Sequence, residues 1–345
     1  MKEQNIITDK KLCWMRDLVI KLKSKIYNVD DLVFGTRNGK NEYINDQLNI
    51  EVNGTKQISS MLNQGTVKIS NLTYAEIYRI IEGQFYEIEI WAGYRSQSME
   101  RFFKGEIAYI SDEITMKKDN TCTIIFASTF VARYSQSRIN INLIPNMSMY
   151  GILNYICLQK GIDTSTLSEE LKQKYIHEVI SAYDTPASFV ESLSNNSNDL
   201  ISNIDSSLDN QVINMSTIND KRQIVINPNT INFNKGNPSI SKDGLKICLF
   251  PTFNFIPGDI IYIDNAYVNR TETSLEGAQK NWKNNYLSTN GGYMIKEINF
   301  IFQNRGSTFE LNIQAIGLNI INNIVGGNVK WEKLKNNELI MLAHY

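Results

Sequence analysis

The stretch WAGYRSQSMERFFKGEIAYI, residues 91–110, decides how the chain is read. An apolar strand ends in Gly93-Tyr94, a polar loop runs over residues 95–101, and Phe102-Phe103-Lys104-Gly105 opens a second strand. Upstream, Ile88 and Ile90 alternate with Glu87 and Glu89, the period of a half-buried strand. Downstream, TCTIIFAST (121–129) returns after the turn Lys118-Asp119-Asn120. This is antiparallel sheet sequence, and nothing in it resembles a reaction centre.

The pattern extends to both sides. Leu18, Ile20 and Leu22 alternate with lysines in residues 16–28. LNIEVNG (48–54) alternates too, with Asn53-Gly54 as a turn signal, and GTVKISNL (65–72) sets Val67 and Ile69 on one face. TYAEIYRIIEG (73–83) switches to helical spacing, with a Thr73/Glu76 capping box, an Ile77/Ile80/Ile81 stripe and Gly83 as stop. After Pro145 the spacing predicts helices over 147–161, 167–176 and 186–194, followed by an Asn/Ser-rich segment, 195–222, with no assigned structure. Strand spacing returns in RQIVINP (222–228), LKICLFP (245–251) and NFIPGDIIYIDNA (254–266). It ends in a hairpin, GYMIKEINFIF (292–302) and STFELNIQAIG (307–317), around Asn304-Arg305-Gly306. The two halves rhyme: GEIAYIS (105–111) resembles KEINFIF (296–302), and Gly93-Tyr94 echoes Gly292-Tyr293.

With 345 residues, two or three domains are expected. Lys and Arg total 35 against 36 Asp and Glu, so the basic excess of a phosphate-gripping protein is missing. Cys13, Cys122, Cys157 and Cys248 form no CxxC pair and read as small buried hydrophobes of a chain folded in a reducing cytoplasm. The N-terminus lacks the apolar core of a signal peptide, and no run approaches the ~18–20 apolar residues that span a bilayer. The expectation is a protein made in the cytoplasm, with no membrane segment.

Candidates for chemistry are few. His177 closes a polar helix and His344 is penultimate, and neither stands among partners for acid–base work. No nucleophile-elbow, phosphate-loop or zinc-protease motif occurs. Glycine-framed GTRNG (35–39) reads as a hairpin turn. Asp259 and Asp264 are separated by strand sequence and lack calcium-loop spacing. Three carboxylate pairs are candidates for a glycosidase: Glu87 and Glu89, which share one strand face, and the adjacent Asp30-Asp31 and Glu169-Glu170; against it stand a solvated strand face, a loop and a helix surface. No cofactor is implied.

The run 66–146 resembles the first barrel of the central hub proteins of contractile-tailed phage baseplates. The resemblance rests on TVKISNLTYAEIYRIIEGQFYEIEIWAGY, FFKGEIAYIS and TIIFASTFVARYSQSRININL. LFPTFNFIPGDIIYI and the 291–317 hairpin resemble the second barrel. The resemblance implies an α+β, mainly β chain: two antiparallel tail-tube-like β-barrel domains joined by a small helical middle region. The implied units are 1–145, 146–235, 236–325 and a tail, 326–345, with a mixed-charge, helix-like end. The implied function is non-enzymatic. A homotrimer with pseudo-sixfold symmetry adapts the hexameric tail tube, or a tube-initiator protein, to the trimeric spike, and DNA passes as cargo. Tape-measure and wedge proteins are further implied partners, and the virion tail baseplate the implied location. The alternatives are a hexameric distal-tail adaptor of a non-contractile phage and a tail-associated cell-wall hydrolase. Arg95 and Arg101, flanking the polar loop, are the candidate subunit contacts.

Overall fold

Alternation along a strand sends successive side chains to opposite faces, and the buried positions follow it. The computed structural model describes residues 15–24, 26, 30–37, 42, 48–57, 63–95, 99–113, 120–128, 138–143, 146–160, 164–167, 175–176, 180–184, 189, 200–205, 212–217, 222–241, 244–270, 291–317, 330–333 and 339–342. The first half contains β1 (Arg16–Ser24), β2 (Leu32–Gly35), β3 (Asn49–Gln57), β4 (Gln64–Ser70), helix α1 (Tyr74–Glu82), β5 (Phe85–Tyr94), β6 (Glu100–Glu113) and β7 (Thr121–Ala127). Leu18, Ile20, Leu22, Val67, Ile69, Ile88 and Ile90 all lie in the core, as their spacing predicts.

The middle holds β8 (Ile139–Leu143), β9 (Met147–Ser148), helix α2 (Met149–Lys160), β10 (Thr164–Leu167), β11 (Tyr175–Ile176), β12 (Ile180–Asp184), β13 (Leu200–Asp205) and β14 (Val212–Thr217). The second half has β15 (Gln223–Val225), β16 (Ser239–Ser241), β17 (Gly244–Leu249), β18 (Ile260–Tyr262), β19 (Asn269–Arg270), β20 (Gly292–Gln303) and β21 (Phe309–Gly317). A last pair, β22 (Lys330–Lys333) and β23 (Leu339–Leu342), follows.

The chain is mainly β and its long pairings are antiparallel. One 14-stranded sheet unites both halves in the order β19-β16-β17-β21-β20-β3-β4-β7-β6-β5-β1-β2, with β18 pairing β20 and β15 pairing β18. No closed barrel forms among the described strands. Antiparallel β3–β20 pairing carries the ladder from one half into the other. A single apolar core runs under both.

The rhyme between halves is topological. In the first half β3, β4, β5, β6 and β7 occupy the sheet order β5-β6-β7-β4-β3. In the second, β16, β17, β18, β20 and β21 occupy β18-β20-β21-β17-β16. Chain order and sheet order coincide, and each corresponding pairing is antiparallel. The outer strands differ: β1 runs antiparallel to β5, whereas β15 runs parallel to β18.

Several expectations change. Asn53-Gly54 is no turn. β3 runs straight through it, and glycine stands at 54 because a Cβ there would run into the Phe300 ring of the paired strand. The Thr73/Glu76 capping box forms, Thr73 N donating to Glu76 Oε2 at 2.7 Å and Glu76 N to Thr73 Oγ1 at 3.3 Å. Of the stripe, Ile77 and Ile80 are buried and Ile81 is exposed. The helix predicted over 147–161 is α2, begun by the two-residue β9. The one predicted over 167–176 has strand at both ends, because Leu167 pairs with Met215 and Tyr175 with Ser148. Its centre lies outside the described residues, as do nearly all of 186–194, both histidines, Asn38-Gly39 and residues 271–290. The Asn/Ser-rich segment contributes β13 and β14, which join β10 in a three-stranded sheet. In the tail expected to be helix-like, residues 330–333 and 339–342 form a strand pair: Trp331 and Ile340 are β-formers that satisfy their backbones across a ladder.

Candidate assembly site

The opening stretch builds the contact between the halves. Ile90 of β5 pairs Phe103, and Trp91 pairs Arg101, so Phe102 is the extra residue of a bulge. A bulge re-aims a side chain. Adjacent Phe102 and Phe103 therefore both reach second-half rings: Phe102 stands edge-on to Phe302 at 5.0 Å and Phe103 lies 6.3 Å from Phe300. Tyr94, which ends β5, meets Phe309 edge-on at 5.5 Å. Such pairs contribute about 0.5–1.5 kcal/mol each beyond the area they bury.

Polar groups close the same seam. Asn254 donates its amide to the Arg101 carbonyl at 2.7 Å and accepts from Lys56 Nζ at 2.9 Å, tying β6 and β3 to the loop before β18. Asn304 extends the ladder past the end of β20: its Oδ1 accepts from Ile50 N at 2.9 Å and its Nδ2 donates to Leu48 O at 3.0 Å. The Arg16 guanidinium donates to the carbonyls of Gln303, Gly306 and Ser307, closing the 303–308 turn from β1. Arg222 grips Asp259 through Nε at 2.8 Å and Nη2 at 2.5 Å, so that carboxylate is taken.

The glutamate pair is not a solvated strand face. Glu89 is only 6% exposed. Its Oε2 accepts from Trp91 Nε1 at 3.0 Å, and its Oε1 lies 3.3 Å from Lys23 Nζ and 3.5 Å from Arg101 Nη1. Glu87 meets Lys23 at 2.8 Å and Lys104 at 3.6 Å. Burial alone would push the Glu89 carboxyl up. The Trp91 hydrogen bond and the Lys23 and Arg101 charges outweigh it and hold the group below the usual range. The Glu87 hydrogen bond raises Lys23 against an opposing cost of burial. A glycosidase needs one carboxyl pushed up, to serve as acid. Glu89 is driven the other way, and the cluster works as an electrostatic lock across β1, β5 and β6.

The two candidate contact residues part company. Arg95 is exposed, and its backbone N–H donates to Met15 O at 2.8 Å. Arg101 is drawn into the lock, with its guanidinium 5.9 Å over the Trp91 ring as well as beside Glu89. Residues 96–98 between them lie outside the described residues.

Asp17, missed in the sequence, is fully buried on β1 and held by the Thr36 hydroxyl and the Arg37 guanidinium. A charged residue within the apolar run of β1, with a cation in the next turn, was the available signal.

No family model matches the chain, and no curated protein does. Solved structures resemble it at low identity. A 43 kDa tail protein of prophage MuSo2 from Shewanella oneidensis aligns at TM-score 0.49 and 9% identity, over 89% of this chain and 98% of that one. A tail protein from Neisseria meningitidis MC58 aligns at 0.48 and 6% identity, over 88% and 97%. The E. coli c3393 protein, described as a type VI secretion component similar to the T4 tail proteins gp27 and gp5, aligns at 0.45 and 14% identity, over 79% and 75%. These TM-scores lie below 0.5, and the proposal that follows rests on the chain's own sheet and motifs.

Proposed function

We propose that the chain is a structural hub of a phage tail or related contractile injection machine. Three copies form a pseudo-sixfold ring that adapts a hexameric tube to a trimeric spike and surrounds the DNA path. The observation that carries this is the repeated five-strand path, joined edge to edge at β3–β20. Two like units per chain are what three chains need to present six equivalent faces. The units are residues 1–145 and 236–325, with 146–235 between them and 326–345 as a tail. A chain of net charge −1 suits a conduit from which DNA must not be held back.

The Glu89 geometry favours a non-enzymatic role over the cell-wall hydrolase, because both carboxylates are neutralised by cations. Arg95 remains a proposed subunit contact, while Arg101 serves the fold.

Mass measurement of the purified assembly, alone and with tube and spike proteins, tests the reading. Three copies that bind both partners are expected. Six copies would favour the distal-tail adaptor, and a stable monomer in the presence of spike would overturn the hub. Zymography on cell walls is expected to show no clearing.

A further inference from the structure

The internal repeat points to a specific junction between copies. In the second half, β20 pairs β18 through residues 292–294, and the rest of the same edge, residues 297–303, is covered by β3 of the first half. The corresponding first-half strand is β6. It pairs β5 through residues 100–106, and among the described residues no strand covers the rest of that edge, residues 107–113. The sequence there, IAYISDE, has neither the proline nor the lysine that guards an open edge. Tyr109 is 61% exposed beside it, and Ile125, its cross-strand neighbour on β7, is 41% exposed. The counterpart of Tyr109 on β20 is Asn299, which is half-buried and accepts a hydrogen bond from the Thr55 hydroxyl of β3 at 2.6 Å.

The occupant follows from the same correspondence. The strand that covers β20 is β3, and its second-half counterpart is β16, at the far end of the sheet with only the two-residue β19 outside it. We infer that the outer edge of β6, residues 107–113, takes the β16–β19 edge of a second copy of this chain, in the manner of β3 on β20. The contact is head-to-tail, so it propagates around a ring. Within the chain the ladder passes from first half to second, and between chains from second half to first.

The register is specified. Ile107 faces Phe126 as Ile298 faces Ile313. Phe126 faces Gly65 and Ile313 faces Ile247, one step from the pairs Gln64–Thr55 and Lys246–Ser239. Thr55 therefore corresponds to Ser239. β6 carries an extra residue, Ala108, in a bulge between Ile107 and Tyr109, so Asn299, which faces Thr55, corresponds to Tyr109. Asn269 of β19 lies beside Ser239 at the outermost edge, and so faces Tyr109 of the next copy.

The inference rests on the ring assembly proposed above. Its test mixes one population carrying Tyr109→Cys with another carrying Asn269→Cys, assembles and oxidises them, and identifies the linked peptides by mass spectrometry. A 109–269 bridge between copies is expected, and the chain carrying both substitutions should give covalent ladders that stop at the ring size. Amide exchange at residues 107–113 should slow at least tenfold on assembly. A three-copy assembly with no such bridge and no added protection would overturn this edge and leave the hub reading standing. A bridge found in a six-copy assembly would keep the edge and overturn the three-copy reading. Bridges only between identical positions would overturn the head-to-tail arrangement.

Discussion

Phe102 and Phe302 stand edge to face across the seam, ring centroids 5.0 Å apart, and each is essentially buried. They lie 200 residues apart in sequence and belong to corresponding strands of the two halves. Truncating Phe102 to alanine should cost about 3–5 kcal/mol, the range for a buried phenylalanine. A double-mutant cycle with Phe302→Ala, followed by denaturant unfolding, should leave about 0.5–1.5 kcal/mol of coupling. Zero coupling would mean the rings are independent core fillers.

Gly54 faces Phe300 at the seam, and its missing Cβ makes room for the ring. Gly54→Ala is expected to destabilise by about 1–3 kcal/mol through overpacking. Adding Phe300→Leu should recover part of that loss. Thermal unfolding of the single and double variants checks this, and a simply additive double variant would contradict it.

Glu89 is the acid-sensitive member of the lock. Its folded-state carboxyl lies below the unfolded value, about 4.3. Its stabilisation is therefore present above that value and lost as pH falls through the folded one. Lys23, raised in the folded state, contributes below about 10.4 and loses that contribution only at more alkaline pH. Glu89→Gln should lower stability at pH 7 by about 1.5–3 kcal/mol, the scale of a hydrogen bond to a charged group. It should also flatten the loss of stability below about pH 4.3. Urea unfolding from pH 3 to 8 reads both effects.

Asp17 is buried with Arg37 and Thr36 as partners. Asp17→Ala removes the buried carboxylate that pairs with the Arg37 guanidinium and should cost about 3–5 kcal/mol. Replacing Asp17 and Arg37 together by apolar residues of similar volume should cost less than the single change. A double replacement as damaging as the single one would place the effect in packing instead of charge.

Local pattern made much of the fold legible. Period-two alternation marked β1, β4, β5, β7 and the β20–β21 hairpin, because a half-buried strand must alternate whatever it packs against. The capping box marked α1, because its hydrogen bonds join residues three apart. The surroundings of Glu89 are illegible in the sequence for the complementary reason. The Lys23 and Arg101 charges that cover it come from neighbouring strands, and its indole partner is an ordinary strand residue until the strands pair.

By itself the sequence determined most strands of the large sheet, which of their faces are apolar, and that one device occurs twice. Those properties reside in neighbours two to four positions apart. Only the tertiary structure decided that the two units share one ladder and one core. That choice rests on the β3–β20 pairing, on the bulge that turns Phe102 toward Phe302, and on a glycine whose purpose appears only when Phe300 lies over it. Each joins residues about 200 or more positions apart in sequence, a separation over which chain entropy leaves no local trace of the partner.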